Sequence, residues 1–338
     1  MYKSDQTTLL IQKPELSIVT TSYTMRRFDD ICALLESIEG QTHPGAEVIF
    51  VSDNNQNLAD ALHSYIRKRG FKNFSLKIVI NSGDVGVNES RNLGIRRSNG
   101  DIVGVVDDDV VMSHDWVERT LCDFASDENL IGLTGPALPL WESPKVMSWF
   151  PKELNFIWGC TVWNWSEARE IRNVGGMNCS FRRDALMNVG LYDTRIGPKG
   201  GEERIGWFFP SGEEVDLSLR LRLAFPRGRI IFDPTIKILH KAESSRFNLQ
   251  FVVKRSFRLG YSKRYMELKF QSAFHNDLLQ LEKSHLRDLV LSASAKFFHS
   301  FRAEPRVALR RIVVVFLGSF SAGIGYLFYS LKPFVAGN

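Results

Sequence analysis

The chain has 338 residues, of which 44% are hydrophobic and 24% charged, and this balance excludes an intrinsically disordered protein. Its four cysteines are widely spaced and include no CxxC pair, which argues against a zinc or dithiol redox site. Residues 241–338 carry 16 Lys and Arg against 6 Asp and Glu, a net charge of +10, whereas residues 1–240 carry a net charge of −5.

The first 110 residues alternate between short apolar stretches and amphipathic ones. Residues 16–23, LSIVTTSY, form a β-branched stretch bounded by polar residues, which predicts a buried strand. The next stretch places Ile31, Leu34, Leu35 and Ile38 at helical spacing. The same alternation predicts strands at residues 47–54, 76–82 and 101–109, and helices at residues 58–70, at residues 88–98 and after a cap at Ser113.

Strands that alternate with helices predict a mostly parallel sheet with helices on both faces. Ligands bind such sheets at the carboxyl ends of the strands. Asp53 ends the second predicted strand, and Asp107, Asp108 and Asp109 end the fourth. We therefore expect the functional site at this edge of the sheet.

Beyond residue 130 the alternation is less regular. Residues 173–193 predict a strand or turn followed by a short helix, residues 211–225 predict a helix, and residues 229–241 predict two short strands. Ile312–Leu331 is a run of twenty residues without a charge. A helix of that length spans about 30 Å, the thickness of a bilayer core. The sequence therefore leaves two alternatives, a helix that spans a membrane and a helix that packs on the protein.

The three adjacent carboxylates Asp107, Asp108 and Asp109, called the Asp triplet below, repel one another at pH 7. They are either a solvated turn or a site where a divalent cation offsets the repulsion, because hard cations take oxygen ligands. The preceding strand is apolar on both faces, which places the triplet at the crevice of the sheet and favours the cation. A cation there would neutralise charge on a departing phosphate.

Five segments taken together resemble the family 2 glycosyltransferases, which have the GT-A fold. The resemblance covers roughly Leu16 to His240 and keeps the family order of the segments. The segments are LSIVTTSYTMRRFDDICALLESIEGQT, EVIFVSDN, GVNESRNLGIRRSNGDIVGVVDDDV, VGGMNCSFRRDALMNVGLYD and GEEVDLSLRLR. The expected fold class is α/β, a mostly parallel GT-A sheet flanked by helices, with a basic helical C-terminal extension. We expect an N-terminal arm at residues 1–14, a catalytic domain at residues 15–242 and a membrane-associating region at residues 243–338.

The resemblance implies roles around the nucleotide. Thr21 and Tyr23 would lie against the base, and Asp53 would hydrogen-bond it. Arg91 would face the nucleotide or its phosphates. The alternatives are an Asx turn for Asp53 and a surface helix position for Arg91.

The resemblance also implies a metal site for Mg²⁺ or Mn²⁺. Asp107 and Asp109 form a D-x-D frame in which Asp109 would coordinate the metal, with Asp107 its frame partner and Asp107 or Asp108 reaching the ribose. His240 would be a further metal or phosphate ligand. A purely structural histidine is the alternative.

The resemblance places the catalytic base at the start of the helix that contains GEEVDLSLRLR. In the family the base is usually the Asp of a Glu-Asp pair. This chain has Glu213-Glu214 instead, which leaves the choice between the two open, and Glu214 is the favoured base. The alternative is that these acids only stabilise the N-terminus of the helix, through their interaction with the helix dipole. Gly176 and Asn178 would approach the donor sugar, although a tight turn explains Gly176 equally well.

The basic tail is expected to meet a membrane surface. Residues 286–301 place apolar side chains on one helical face, which is typical of an interfacial helix, and no nucleic-acid motif is present. Residues 1–19 lack an apolar stretch of signal-peptide length, so we expect no cleaved export signal. The expected location is the cytoplasmic face of the cell membrane, either peripheral or with one C-terminal membrane helix.

The sequence thus predicts an inverting glycosyltransferase that moves a sugar from a nucleotide sugar to a hydroxyl of a lipid-linked or cell-surface glycan. Three alternatives stay open: a dolichyl- or polyprenyl-phosphate sugar synthase, a nucleotidyltransferase on a related fold, and a non-catalytic scaffold. The released product distinguishes a nucleotidyltransferase from a glycosyltransferase, because only the nucleotidyltransferase would release pyrophosphate.

Overall fold

The structure, a computed structural model, describes residues 16–199, 208–274 and 278–331, so the predicted arm at residues 1–14 lies outside the described residues. The strands are β1 (Leu16–Ser22), β2 (Ala46–Asp53), β3 (Phe74–Asn81), β4 (Ile102–Val106), β5 (Val110–Met112), β6 (Leu130–Thr134), β7 (Ala137–Trp141), β8 (Arg169–Glu170), β9 (Asn178–Arg182), β10 (Arg229–Phe232) and β11 (Ile238–Ala242). The helices are α1 (Phe28–Glu39), α2 (Gln56–Arg69), α3 (Val87–Arg97), α4 (Trp116–Ser126), α5 (Pro144–Met147), α6 (Arg183–Asn188), α7 (Glu213–Ala224), α8 (Leu249–Lys269), α9 (Gln271–Phe274), α10 (Gln280–Ser300) and α11 (Pro305–Ser330).

The main sheet has eight strands in the order β3-β2-β1-β4-β9-β6-β10-β8. Strands β3, β2, β1 and β4 are mutually parallel, β10 is parallel to β6, and β9 and β8 run antiparallel to their neighbours. The mostly parallel sheet predicted from the alternation is confirmed. Several boundaries differ by a few residues: β4 ends at Val106, before the Asp triplet, and α4 begins at Trp116 with Asp115, not Ser113, in its N-cap position.

The main sheet is buried on both faces, as its near-continuous apolar strands require. Ile18, Val48 and Phe50 belong to one apolar cluster, together with residues of α1, α2 and α4. Val19 and Val51 belong to the opposite cluster, together with residues of α3, α6 and α7. Alternate residues of each strand therefore support helices on opposite faces and hold the strand ends in place.

A second sheet of three strands, β5-β11-β7, lies beside the main one. Its central strand β11 pairs antiparallel with β5, so that His240 lies opposite Val110. Val110 directly follows the Asp triplet, and this pairing therefore brings His240 to the carboxyl end of β4. The sequence predicted β11 but not the sheet to which it belongs.

The C-terminal helices α8 and α11 run parallel and approach each other closely. A Cβ atom at Gly260 would lie 1.8 Å from the carbonyl oxygen of Ala322, and one at Gly325 would lie 2.0 Å from that of Phe257. The hydroxyl of Ser321 donates to the carbonyl of Val253 across the same interface, at 2.8 Å. Glycine at these positions permits backbone contact that any side chain would block.

Among the described residues, α11 is the one helix whose length and composition would let it cross a bilayer. Of its most apolar 18-residue stretch, 28% is buried inside the protein. One of its faces covers α8. In turn, α8 is attached to the rest of the chain by Lys269, whose ammonium lies 2.5 Å from Asp216 of α7 and 2.8 Å from Asp193. The basic tail therefore forms a layer of helices on the domain that contains the main sheet.

Candidate active site

The acids predicted to form a site lie at the carboxyl ends of β2 and β4, two strands separated by β1. Asp53 is the last residue of β2, and the Asp triplet directly follows β4. Thr21 and Tyr23 lie at the end of β1 between them, and both side chains are half-buried. Parallel strands thus bring together groups that are more than 80 residues apart in sequence.

Asp53 is buried and held by three donors. Its Oδ1 accepts from Nδ2 of Asn81 at 2.9 Å and from Oγ of Ser90 at 3.0 Å, and its Oδ2 accepts from the backbone N–H of Gly86 at 3.1 Å. Burial raises the pKa of this carboxyl, and the three hydrogen bonds oppose the rise without cancelling it. The carboxyl group is therefore fixed in orientation at the strand end.

Each acid of the triplet contacts at least one basic side chain, and Asp108 and Asp109 share Arg27. Asp107 accepts from Nη2 of Arg91 at 2.9 Å, and Asp108 accepts from Nη1 of Arg27 at 2.5 Å. Asp109 lies 3.1 Å from the same Nη1 of Arg27 and 3.3 Å from Nε2 of His240. Side chains of this chain therefore offset the repulsion within the triplet.

Arg27 is a site residue that the sequence did not single out. It ends a short 3₁₀ turn, Met25–Arg27, that follows β1, and its guanidinium contacts both Asp108 and Asp109. The available signal was the pair of arginines four and five residues after the end of a strand that borders the predicted site.

Asp109 and His240 form a buried pair. Burial lowers the pKa of His240, but the carboxylate of Asp109 outweighs it and raises that pKa to about 10. Burial raises the pKa of Asp109, and His240 and Arg27 outweigh it, so the net shift is downward. Cys160 lies on the other side of the imidazole, with its Sγ 3.8 Å from Nδ1. The imidazole is thus fixed between a thiol and a carboxylate.

The pair fits part of a divalent metal site. Oδ1 of Asp109, the oxygen that lies 3.3 Å from Nε2 of His240, is buried and accepts no hydrogen bond from the described part of the chain. A carboxylate oxygen beside an imidazole nitrogen is a donor set that Mn²⁺ and Mg²⁺ accept. Within the described ranges, however, no group of three or more His, Cys, Asp and Glu side chains is placed to hold a metal. Asp107, the predicted frame partner, is instead bonded to Arg91. The protein would supply two ligands, and phosphate and water would supply the others.

Arg91 connects the triplet to the start of α7. Its Nη2 donates to Asp107 and its Nη1 donates to Oε1 of Glu214, each at 2.9 Å. The guanidinium is almost fully buried and lies over the ring of Tyr192, 5.4 Å from its centroid. Because one planar group bonds both acids, their separation is fixed.

The two glutamates at the start of α7 have different surroundings. Glu214 is partly exposed and faces Gly176, where a Cβ atom would lie 2.6 Å from Oε1 of Glu214. Burial and the neighbouring charge of Glu213 raise the pKa of Glu214 to about 6. Glu213 accepts from the backbone N–H of Gly212 at 2.6 Å and faces Gly197.

The structure does not bring the side chain of Asn178 into this site, contrary to the prediction that it approaches the sugar. Asn178 is 1% exposed. Its Oδ1 accepts from Nε1 of Trp116 at 2.8 Å, and its Nδ2 donates to the carbonyl of Ile236 at 2.9 Å. Its amide is therefore used to join β9 to α4 and to the loop before β11.

Comparisons with known proteins bear on the family and the fold of the chain. Residues 17–156 match the family model described as Glycosyl transferase family 2. The chain is 27% identical over 323 residues to a glucosyl-dolichyl phosphate glucuronosyltransferase of Haloferax volcanii, covering 94% of this chain and 97% of that protein. The solved structure of mannosyltransferase PcManGT from Pyrobaculum calidifontis, in complex with GDP-Man and Mn²⁺, has a TM-score of 0.58 at 13% identity and covers 95% of this chain and 89% of that one. The structural likeness confirms the fold class.

Proposed function

We propose that the chain is a family 2 glycosyltransferase that moves a sugar from a nucleotide-sugar donor to a hydroxyl of a lipid-linked acceptor, with inversion at the anomeric carbon and with Mg²⁺ or Mn²⁺ as cofactor. The observation that carries the proposal is the guanidinium of Arg91, which bonds Asp107 and Glu214 at once. A donor whose diphosphate lies at the Asp triplet would then have its sugar beside Glu214.

The donor nucleotide is assigned to the ends of β1 and β2. Thr21 and Tyr23 would contact the base, and Asp53 would hydrogen-bond it. The three donors that hold Asp53 support this role, because a fixed acceptor discriminates between bases better than a mobile one. Arg91 and Asp107 would position the ribose and the diphosphate.

Asp109 and His240 are the residues that would hold the divalent cation. When bound, such a cation neutralises the negative charge that develops on the departing nucleotide. Arg27, which already contacts Asp108 and Asp109, would place a second positive charge beside the phosphates.

Glu214 is the proposed base. With a pKa of about 6 it is mostly deprotonated at pH 7 and can take the proton of the acceptor hydroxyl. The acceptor oxygen would form its bond to the anomeric carbon as the sugar–phosphate bond opposite breaks, and the electron pair would leave with the nucleotide. Glu213 lies beside the base, and its charge helps to keep the pKa of Glu214 high.

The acceptor class comes from the Haloferax relative, which aligns over nearly its whole length. The name of that relative, glucosyl-dolichyl phosphate glucuronosyltransferase, describes an acceptor in which a sugar is already attached to dolichyl phosphate. For this chain we propose the same class of acceptor, a sugar attached to a polyprenyl phosphate. The identity of the transferred sugar is not part of the proposal. This acceptor class favours a transferase that extends a lipid-linked sugar over a polyprenyl-phosphate sugar synthase.

A panel of nucleotide sugars with Mn²⁺ or Mg²⁺ and a short polyprenyl-phosphate sugar tests the function. We expect one donor to raise the Tm in the presence of metal, because a ligand that binds only the native state stabilises it. We also expect acceptor-dependent release of a nucleoside diphosphate. Release of pyrophosphate would identify a nucleotidyltransferase, and the absence of nucleotide binding would identify a scaffold.

We also propose that α11 lies on a membrane without crossing it. Exposed apolar side chains recur along α11 every three or four residues and form one stripe, the α11 stripe: Leu309, Val313, Phe316, Leu317, Phe320, Ile324, Leu327, Phe328 and Leu331. The opposite face is packed on α8, which carries Lys254, Arg255, Lys263 and Arg264 along the same length. A spanning α11 would draw these charges into lipid, at about 2.5–3.5 kcal/mol each. Arg302, Arg306 and Arg310 are exposed at its start and would face anionic head groups. The cytoplasmic side stays a prediction.

Vesicle co-sedimentation tests the membrane proposal. The double variant Phe320→Ser/Leu327→Ser should bind vesicles that contain an anionic lipid about tenfold less tightly, or weaker still, because two large apolar side chains no longer enter the lipid. Met187→Ser, which removes an exposed apolar side chain from α6, is the matched control and should bind as the unmodified protein does. Protein that resists extraction from membranes by alkaline carbonate would contradict the in-plane arrangement.

A further inference from the structure

Arg258 on α8 is buried, and two of its three guanidinium nitrogens are unbonded. The residue is 6% exposed, and its Nε and Nη2 atoms are buried and make no hydrogen bond to any residue that the structure describes. A buried guanidinium normally bonds a carboxylate or a row of carbonyls, and even the half-buried Arg220 does so with Asp216, Val189 and Leu191. An uncompensated buried charge destabilises a fold, so a residue of this kind needs another reason to be there.

The position of Arg258 supplies that reason. It lies one helical turn before Ser262, whose hydroxyl accepts from the backbone N–H of Ser211 at 2.8 Å. Ser211 directly precedes Gly212 and the start of α7. Arg258 thus lies on the face of α8 that is turned towards the proposed base.

Two arginines flank the acidic pair at the start of α7. Arg91 bonds Glu214 and, through its other nitrogen, Asp107 of the Asp triplet, so it lies on the donor side of the acidic pair. The carboxyl group whose charge acts on Arg258 is that of Glu213, and the guanidinium remains cationic because burial lowers its pKa only to about 10. The positive charge of Arg258 is therefore separated from the donor side by the pair from which the base comes.

We propose that Arg258 binds the phosphate of the lipid-linked acceptor, while the sugar on that phosphate presents its hydroxyl to Glu214. The inference rests on the proposed function and adds the acceptor subsite to it. A guanidinium offers a planar set of N–H donors that matches phosphate oxygens, and the unused donors of Arg258 would be satisfied only in the complex. In a phosphate-linked sugar, one ring separates the phosphate from the hydroxyl, which suits an anion site beside the base.

The variant Arg258→Met tests the proposal by opposite effects on stability and on activity. It should raise the Tm by about 2–4 °C, because an unpaired buried charge is replaced by an apolar side chain of similar length. It should also raise the acceptor KM about 10-fold to 100-fold, with the donor KM unchanged, because charged hydrogen bonds to the phosphate are lost. Arg220→Met, the matched change at a bonded arginine, should lower the Tm.

A binding measurement separates this proposal from the proposed function. A short polyprenyl phosphate should raise the Tm of the unmodified protein but not of Arg258→Met, whereas the matched polyprenol should affect neither. That result supports the phosphate site even if no sugar transfer is detected. A lower Tm for Arg258→Met, equal stabilisation of both proteins by the phosphate, or an increase in the donor KM instead of the acceptor KM would each overturn the acceptor assignment.

Discussion

Replacing Glu214 with Gln is expected to reduce the rate of sugar transfer about 10²-fold to 10⁴-fold, the contribution of a positioned general base. The amide oxygen can still accept from Nη1 of Arg91, so the bridge from α7 to Asp107 is retained and the donor KM should change little. The measurement is the initial rate of acceptor-dependent nucleoside diphosphate release, with donor affinity determined separately.

Glu213→Gln is the matched control for Glu214→Gln. It should keep most of the activity, and it should also move the acidic limb of the pH–rate profile to lower pH, because the charge of Glu213 helps to raise the pKa of Glu214. In the unmodified protein the limb should fall near pH 6: a base acts deprotonated, so activity is present above its pKa and is lost as the pH falls through it. Loss of activity in Glu213→Gln with retention in Glu214→Gln would exchange the two roles.

Local patterns were sufficient to predict the sheet and the edge at which the acids meet. Each of the first four parallel strands is a short β-branched run between polar residues, and α1 has apolar spacing that matches a sheet face. Because the carboxyl ends of parallel strands lie at one edge, Asp53 and the Asp triplet could be placed together without knowledge of any contact.

The cations around the triplet could not be assigned in the same way. Arg27, Arg91 and His240 come from three distant parts of the chain, and a partner choice of this kind depends on register and packing. His240 reaches Asp109 only because β11 pairs with β5 in a second sheet. The hydrophobic periodicity of the sequence does not predict that pairing. The sequence therefore indicated that the negative charge of the triplet must be offset. It did not indicate that three side chains of the chain itself supply the positive charge.

Two further residues show that a residue type does not define a role. Asn178 lies in a segment that resembles the donor-sugar region of the family, yet its amide bonds Trp116 and Ile236 inside the fold. Arg258 is one of many cations in a basic tail, and what distinguishes it is that its buried Nε and Nη2 atoms bond none of the described residues. Hydrogen bonding and burial are properties of the folded chain, so both conclusions required the structure.

Replacing Asp109 with Asn is expected to lower metal-dependent transfer about 10²-fold to 10³-fold, because a neutral amide is a poor ligand for a hard cation and the charge on the departing nucleotide is then less well neutralised. The sharper measurement is calorimetric titration of a nucleoside diphosphate with and without Mn²⁺. We expect Mn²⁺ to strengthen nucleotide binding by the unmodified protein and to have almost no effect on Asp109→Asn.

Asp108→Asn is the matched control for Asp109→Asn, since both acids contact Nη1 of Arg27 but only Asp109 also contacts His240. The Asp108 variant should keep the Mn²⁺ effect on nucleotide binding. His240→Ala should lose it, and the double variant with Asp109→Asn should be no worse than either single change, because two ligands of one cation act as a unit. Retention of the Mn²⁺ effect in Asp109→Asn would mean that the cation is held elsewhere. The ion pair of Asp109 with His240 would then serve the fold, by joining the small sheet to the end of β4.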